Sequence, residues 1–471
     1  MKHLLFFAIS FLIVSCGSSL ETTTVNSDPA ELLDNDTTTA TSEDEIDDFI
    51  HLKLGEIAPV YSLDPLFAES NSELRTNNLV YEQLIGLNQL GNPAPELANS
   101  WEVNADSTQF TLHLRTDIYY YDSSVFSSGS GRRITAKDVR FIFERMADNK
   151  VPDFAANMFD DIRGFNAYHN EQTLIKDPEK RVLENIEGLR IQNDSTLVFY
   201  LNNSSSDFLM RLAHPYASVY PEESVPETGP IVRAAGTGRF KFIQKNDNTL
   251  LFAINENYRG VTPDLNRLDI VSGLDERDLY QEFARKNLDA LVEVSIPTLR
   301  TITDPPGSLI DQFNPIYRLE NTGVTTTYTV FYNQVSDQSN SVNTLLDSLD
   351  AGRLIGNEAW GNVQFYPLEN TSVNTEDRQL AATHLQNHNE RMLFNNLASA
   401  SASLGFSFSV SPSFAPSSTT TFTTLPYADT TPVIRWEAPV FILSHRNIQG
   451  IRLQNYAWEM NLTSVEVSED S

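Results

Sequence analysis

Few residues of this chain have the type and spacing that chemistry needs, and each such group has a plainer reading. His384 and His388 stand four apart, which on a helix turns two imidazoles to one face, as in a zinc pair. Residue 385 is Leu where a metalloprotease would place its glutamate, and no third ligand is evident, so no metal is expected. Gly236-Thr237-Gly238 has the small residues of a phosphate cradle. It lacks the third glycine at the required spacing and the closing Lys-Ser/Thr, so a tight turn before a strand at Arg239–Ile243 is expected instead. The acids Asp160-Asp161 and Glu43-Asp44-Glu45 resemble general acid and base pairs only in composition, and in so acidic a chain they read as solvated surface. No Ser-His-Asp or Cys-His arrangement stands out. No catalytic residue and no cofactor are expected.

Cys16 is the only cysteine among the 471 residues, and a lone thiol cannot close an internal disulfide. It follows a basic start, Met1-Lys2-His3, and an apolar run from Leu4 to Val14. That run suits a signal peptide of residues 1–15 and is too short to span a bilayer. Ile13-Val14-Ser15-Cys16-Gly17 resembles the lipobox of bacterial lipoproteins, which implies that Cys16 is lipidated and becomes the mature N-terminus. Several acyl chains, at about 0.8 kcal/mol per buried methylene, hold a protein at a membrane where one would not. From Gly17 to Ile50 there is no Lys or Arg and little apolar content. Residues 16–46 are therefore expected to form a disordered acidic tether. The formal charge of -30 argues against nucleic acid, whose phosphates demand clustered Lys and Arg.

The remaining residues, about 420, are enough for two or three hydrophobic cores. A short alternating strand at His51–Ala58 precedes Leu63-Asp64-Pro65. A helical run at Asn78–Leu84 contains Val80-Tyr81-Glu82-Gln83-Leu84. Pro95-Glu96-Leu97-Ala98-Asn99-Ser100-Trp101 then leads to Phe110, Leu112 and Leu114, which alternate with polar residues as in a half-buried strand. Thr135 and Asp138 make a capping-box-like start for a helix whose Val139, Ile142, Phe143 and Met146 share one face. Ala235-Gly236-Thr237-Gly238-Arg239-Phe240 and Asn255–Gly260 follow. In order and spacing these segments resemble the family 5 solute-binding proteins, the oligopeptide, dipeptide and nickel binders of bacterial ABC importers.

The resemblance implies an α/β, two-lobed periplasmic-binding-protein-like fold of type II, with an extra subdomain and mixed sheets flanked by helices. Residues 47–320 would form lobe I, with the subdomain inserted at about 76–205. Residues 321–435 would form lobe II and 436–471 the return to lobe I. The hinge would lie at the crossings near 320 and 436. Asn333 and Ala438 are only about 105 residues apart, where family members have nearly twice as many, so lobe II is expected to be shortened.

The implied function is capture of oligopeptides and delivery to an ABC permease and ATPase by a monomer lipid-anchored in the bacterial envelope, on its periplasmic or extracellular face. Nickel, haem and oligosaccharide ligands stay open, because the fold does not select the cargo. The alternative is a degenerate scaffold acting as sensor, adaptor or surface structural lipoprotein. Peptide sites need flat aromatic surfaces and a few polar groups. On that ground Tyr81, Tyr332, Asn333, Trp360, Arg435 and Trp436, all near lobe borders, are the expected ligand contacts, with Arg435 suited to a ligand carboxylate.

Overall fold

The first strand of the folded region, β1 (His51–Glu56), buries Leu52 and Leu54 completely and leaves His51 and Lys53 between them half-buried, the alternation of a strand whose one face is fully covered there. The computed structural model describes residues 50–304, 307–333, 339–356, 360–365, 380–381, 388–403 and 430–468. Cys16, Glu43-Asp44-Glu45 and His384 lie outside the described residues. Along the chain follow α1 (Asn71–Val80), β2 (Glu82–Gln83), β3 (Ala98–Val103), β4 (Gln109–Leu114), α2 (Ala136–Met146), β5 (Leu189–Asn193), β6 (Thr196–Tyr200) and β7 (Ser218–Val219). Then come β8 (Phe240–Asn246), β9 (Thr249–Ile254), β10 (Arg267–Val271), α3 (Glu276–Ala284), β11 (Ala290–Val292), α4 (Ile296–Ile302) and β12 (Tyr317–Asn333). After them come β13 (Asn362–Phe365), β14 (Leu380–Ala381), α5 (His388–Ser403) and β15 (Thr430–His445), and short paired strands follow to Val467.

The main sheet has the order β8-β9-β10-β1-β11-β15-β12-β14, with β13 added to β15. Only β1 pairs in parallel, with β10 on one side and β11 on the other. The two faces of this sheet carry separate cores. On β15, Val440 and Ile442 join the core of Leu52 and Leu54, whereas Phe441 and Leu443 join that of Leu279 and Phe283 on α3. Alternate residues of a strand point to opposite faces, and both are apolar because both are covered.

A smaller antiparallel sheet, β3-β4-β6-β5, lies between α1 and β8 in sequence. Phe110, Leu112 and Leu114 are buried along β4 in alternation, as the sequence predicts. The predicted face of α2 is also buried, and Phe143 meets Phe159 and Phe199 edge-on with ring centroids 5.1 Å apart in each case. Asp138 accepts the Thr135 N–H at 2.8 Å, closing the start of that helix.

Segments that mark the chain in sequence meet in space. Asp64 accepts two hydrogen bonds from Arg145, at 2.9 and 2.5 Å, and one from the Ile231 N–H at 3.0 Å. Arg145 also donates to Tyr220 Oη at 2.6 Å. The Gly236 and Gly238 backbones press against the end of α1, where a Cβ at Gly236 would collide with the Val80 carbonyl. Gly-Thr-Gly is thus a turn built for close backbone approach.

That approach corrects the expected helix at Asn78–Leu84. The helix begins earlier, at the Ser70 cap, and ends at Val80. The Val80 carbonyl accepts the Gly238 N–H at 2.8 Å, so it is spent outside the helix, and Glu82–Gln83 pairs as a strand with β7. Asp161 also departs from its reading as solvated surface. It accepts two hydrogen bonds from the buried Arg211, at 2.9 and 2.6 Å. The chain divides between Asp48 and Phe49, and Phe49–Ser471 holds together as one unit. Within it β12 runs past residue 320, with a register slip between Asn321 and Thr325 and Gly323 at φ 75°. Among the described residues no helix is long and apolar enough to cross a membrane.

Candidate functional site

In an open α/β sheet, ligands bind outside the carboxyl ends of the parallel strands, at the point where the chain leaves in two directions. Here that point is β1, and the edge is formed by the ends of β10, β1 and β11. Helices α1, α3 and α4 all begin there, capped by the side chains of Ser70, Asp275 and Ser295.

The edge is held by a buried charge cluster. Glu56 ends β1, Arg75 lies on α1, and Glu293 follows β11 at φ 60°. Arg75 is fully buried. It donates to Glu56 at 3.1 and 2.6 Å, to Glu293 at 3.0 Å and to the Ala457 carbonyl at 2.5 Å. The other Glu293 oxygen accepts from Thr326 Oγ1 at 3.0 Å and Tyr328 Oη at 3.4 Å. Asn71 donates to Thr326 Oγ1 at 3.2 Å and Asn389 of α5 to Tyr328 Oη at 3.3 Å. The network therefore ties β1, α1, β12 and α5 together. Burial raises the Glu56 carboxyl above its ordinary range against the pull of Arg75. Burial opposes the charge of Arg75 too, and Glu56 and Glu293 outweigh it.

Above this floor, the loop after β1 is strapped down by side chains. Ser72 Oγ accepts the Ala58 N–H at 3.3 Å and Ser272 Oγ accepts the Val60 N–H at 3.1 Å. Lys245 Nζ donates to the carbonyls of Val60 and Tyr61 at 2.8 and 3.1 Å. Glu73 accepts the N–H groups of Tyr61 and Glu69 at 3.2 and 2.9 Å. Burial pushes its carboxyl up to about 7, although those N–H groups pull it down. The strapping leaves the Tyr61 side chain outside, 64% exposed. A fixed, exposed aromatic on a ligand edge is a surface against which an extended chain can lie.

The residues expected from sequence fall in different places. Trp360 and Trp436 are buried together; Trp436 Nε1 donates to the Trp360 carbonyl at 3.1 Å, and its ring stacks on Tyr328 at 4.7 Å. Through Tyr328 they back the charge cluster. Arg435, the neighbour on β15, reaches solvent and pairs with Glu437 at 3.0 Å. Tyr332 and Asn333 end β12, with backbones paired to Thr431 and Thr430. Tyr81 is apart from these, buried in the first core with its hydroxyl donating to the Leu63 carbonyl at 2.8 Å.

Sequence reasoning missed Glu56, Arg75, Glu293 and Tyr61. The signal for the first was a lone acid closing an apolar strand, and for Tyr61 a place two residues before Leu63-Asp64-Pro65. Among the described residues, no group of three or more His, Cys, Asp or Glu is placed to hold a metal.

The model of the bacterial extracellular solute-binding proteins, family 5 Middle, matches residues 92–344, more than half of the chain. Heme-binding protein A of Haemophilus influenzae is 29% identical over 267 residues, 54% of this chain and 46% of its own length. The dipeptide-binding protein of Escherichia coli is 27% identical over 183 residues, 37% of this chain and 31% of its own. This chain thus spans less than half the length of either relative. Among solved structures, Haemophilus influenzae OppA in complex with RPPGFSPFR is similar at a TM-score of 0.67 and 14% identity, covering 89% of this chain and 99% of that one. The periplasmic binding protein DppA of Helicobacter pylori, in complex with the peptide STSA, is similar at 0.64 and 13% identity, covering 89% and 98%. At such identities the likeness is one of fold: a two-lobed, mixed α/β binding-protein architecture.

Proposed function

This chain belongs to the bacterial extracellular solute-binding proteins of family 5, and on that footing we propose that it captures oligopeptides for an ABC importer and delivers them, chemically unchanged, to a permease and its ATPase. The observation that carries the reading is the carboxyl edge of β10, β1 and β11, with its buried Glu56–Arg75–Glu293 floor and the exposed Tyr61 at its rim. A floor whose polar groups are bonded in advance presents a fixed surface, and ordering less on binding favours affinity.

In this proposal lobe I comprises residues 47–75, 206–320 and 436–471, the subdomain 76–205, and lobe II 321–435. The register slip at Asn321–Thr325 supports a bend near 320, because a bulge loosens a ladder locally. Contacts from both lobes coexist only in the closed state, so ligand binding stabilises closure and the permease reads the closed shape. Tyr61, Arg435, Tyr332 and Asn333 would touch the peptide, while Trp360, Trp436 and Tyr81 would support the walls. Cys16 would carry the lipid that holds a monomer in the cell envelope.

Native mass spectrometry of the purified protein, before and after exposure to a peptide pool, tests the reading. Bound, uncleaved peptides are expected. Cleavage products would make the protein an enzyme, and a haem adduct would move the cargo toward that named for the Haemophilus relative. Replacing Cys16 with Ser should release the protein from membranes.

A further inference from the structure

A second cluster of charge borders a cavity of about 140 Å³ between β2, the segment Gly238–Tyr258 and the C-terminal residues Gln454–Asn461. Glu82 lines it and is 5% exposed. One of its carboxylate oxygens accepts from Arg259, and the other is buried with no hydrogen-bond partner among the described residues. Glu96 accepts from the same guanidinium at 2.6 Å. Glu459 lines the cavity as well, its Oε2 accepting the N–H and the side-chain amide of Asn455 at 3.1 and 3.0 Å. Tyr258 is engaged by two guanidiniums, those of Arg239 and Arg259, at 5.1 and 5.7 Å from its ring centre. Trp458 contributes a buried indole whose Nε1–H has no partner among the described residues.

Three carboxylates, Glu82, Glu96 and Glu459, face two guanidiniums, Arg239 and Arg259. When all are ionised, one negative charge is left over beside an unpartnered acceptor and an unpartnered donor. Such buried orphans are rare and call for an occupant. Water answers the hydrogen bonds, and a proton on Glu82, favoured by burial and by the neighbouring Glu96, answers the charge in acid; once that proton is gone the charge needs a cation. A cation rich in N–H donors answers the charge and Glu82, and an oxygen on the same molecule answers Trp458. Among the described residues no group of three or more His, Cys, Asp or Glu is placed to hold a metal, and an organic cation suits a site that offers an unpaired acceptor and an unpaired donor together. At about 30 Å³ per water the cavity holds roughly five waters, which limits the occupant to a few non-hydrogen atoms and excludes an oligopeptide.

We propose that this cavity binds a small organic ammonium compound bearing a hydroxyl or carbonyl oxygen, the ammonium directed to Glu82 and Glu459 and the oxygen to Trp458 Nε1. The site is independent of the peptide reading. Burial raises the carboxyls of both Glu82 and Glu459. A bound cation reverses that effect, so binding and deprotonation reinforce each other and affinity falls in acid.

The test uses ethanolamine as probe on the full chain, followed by titration calorimetry and tryptophan fluorescence, with ethylene glycol and acetate as neutral and anionic counterparts. Saturable binding of ethanolamine at one site is expected, stronger at about pH 8 than at about pH 5. It should weaken about tenfold in Glu459→Gln, an isosteric change that keeps the Asn455 contacts, and likewise in Glu82→Gln. Trp458→Phe should abolish the fluorescence response, and unchanged melting temperatures would confirm folded variants. Absence of saturable ethanolamine binding, equal binding of acetate or ethylene glycol, or indifference to both glutamate substitutions would overturn the proposal. Because none of these residues lies on the carboxyl edge, peptide binding is measured separately and its failure leaves this outcome readable.

Discussion

Glu56–Arg75–Glu293 and Glu82–Arg259–Glu96 have the same composition, two carboxylates on one guanidinium, and opposite surroundings. In the first, each carboxylate oxygen has a donor, Arg75 is sealed from solvent, and the neighbours Thr326 and Tyr328 extend the network. In the second, Arg259 is a quarter exposed, one Glu82 oxygen has no partner, and a cavity adjoins. Ion-pair composition therefore does not separate a structural keystone from a binding site. What separates them is whether the hydrogen bonds close, since an unpaired buried polar group carries its full desolvation penalty.

The largest expected effect that would break this contrast comes from Arg75→Met. It leaves two carboxylates buried without a counter-charge and should destabilise the fold by about 3–5 kcal/mol, measured by denaturant unfolding. Adding Glu56→Gln and Glu293→Gln should restore much of the loss. If it does not, charge is not what Arg75 supplies.

Next in size is a pH effect on the strap beside the first cluster. The Glu73 carboxyl is pushed up to about 7 from an ordinary 4.5, with Glu69 and Lys245 as its charged neighbours. Between those values the folded state keeps a proton that the unfolded state has released. Stability contributed by Glu73 therefore falls as pH rises from about 4.5 to about 7, and levels off above, by on the order of 3 kcal/mol. The difference between wild type and Glu73→Gln across that window isolates it, and a flat difference curve would contradict the burial of this carboxyl.

Arg259→Ala should cost about 2 kcal/mol, less than Arg75→Met because its cluster is closer to solvent. An equal loss in both variants would erase the distinction drawn between the clusters. The smallest change in stability, within about 1 kcal/mol, is expected for Arg435→Ala, whose pair with Glu437 is partly exposed on both sides. Peptide affinity, read by calorimetry, should nonetheless fall by about 1–3 kcal/mol.

The sequence carried the local elements well. The face of α2 and its Asp138 cap, the alternation of β4 and the Gly236-Thr237-Gly238 turn all follow from patterns within a few residues. Their order along the chain was enough for the family. The site was less legible. Tyr81 stands out by its place in a recognisable segment, and that segment belongs to the Asp64–Arg145 core. Trp360 and Trp436 stand out as aromatics, and they are aromatics of the second core. Borders read from sequence locate where a chain crosses, not which way a side chain points.

By itself, then, the sequence determined the type of fold, the caps and apolar faces of its elements, and the excess of acid. Those properties depend on near neighbours, and side-chain period and capping chemistry are local. Only the tertiary structure decided which charges meet. Arg75 and Glu293 are 218 residues apart, and Arg259 and Glu82 are 177 apart. No periodicity encodes such pairs, and whether a buried oxygen finds a donor depends on every segment packed around it. That is why one glutamate pair became the floor of an edge while the other kept an oxygen unpaired beside a cavity.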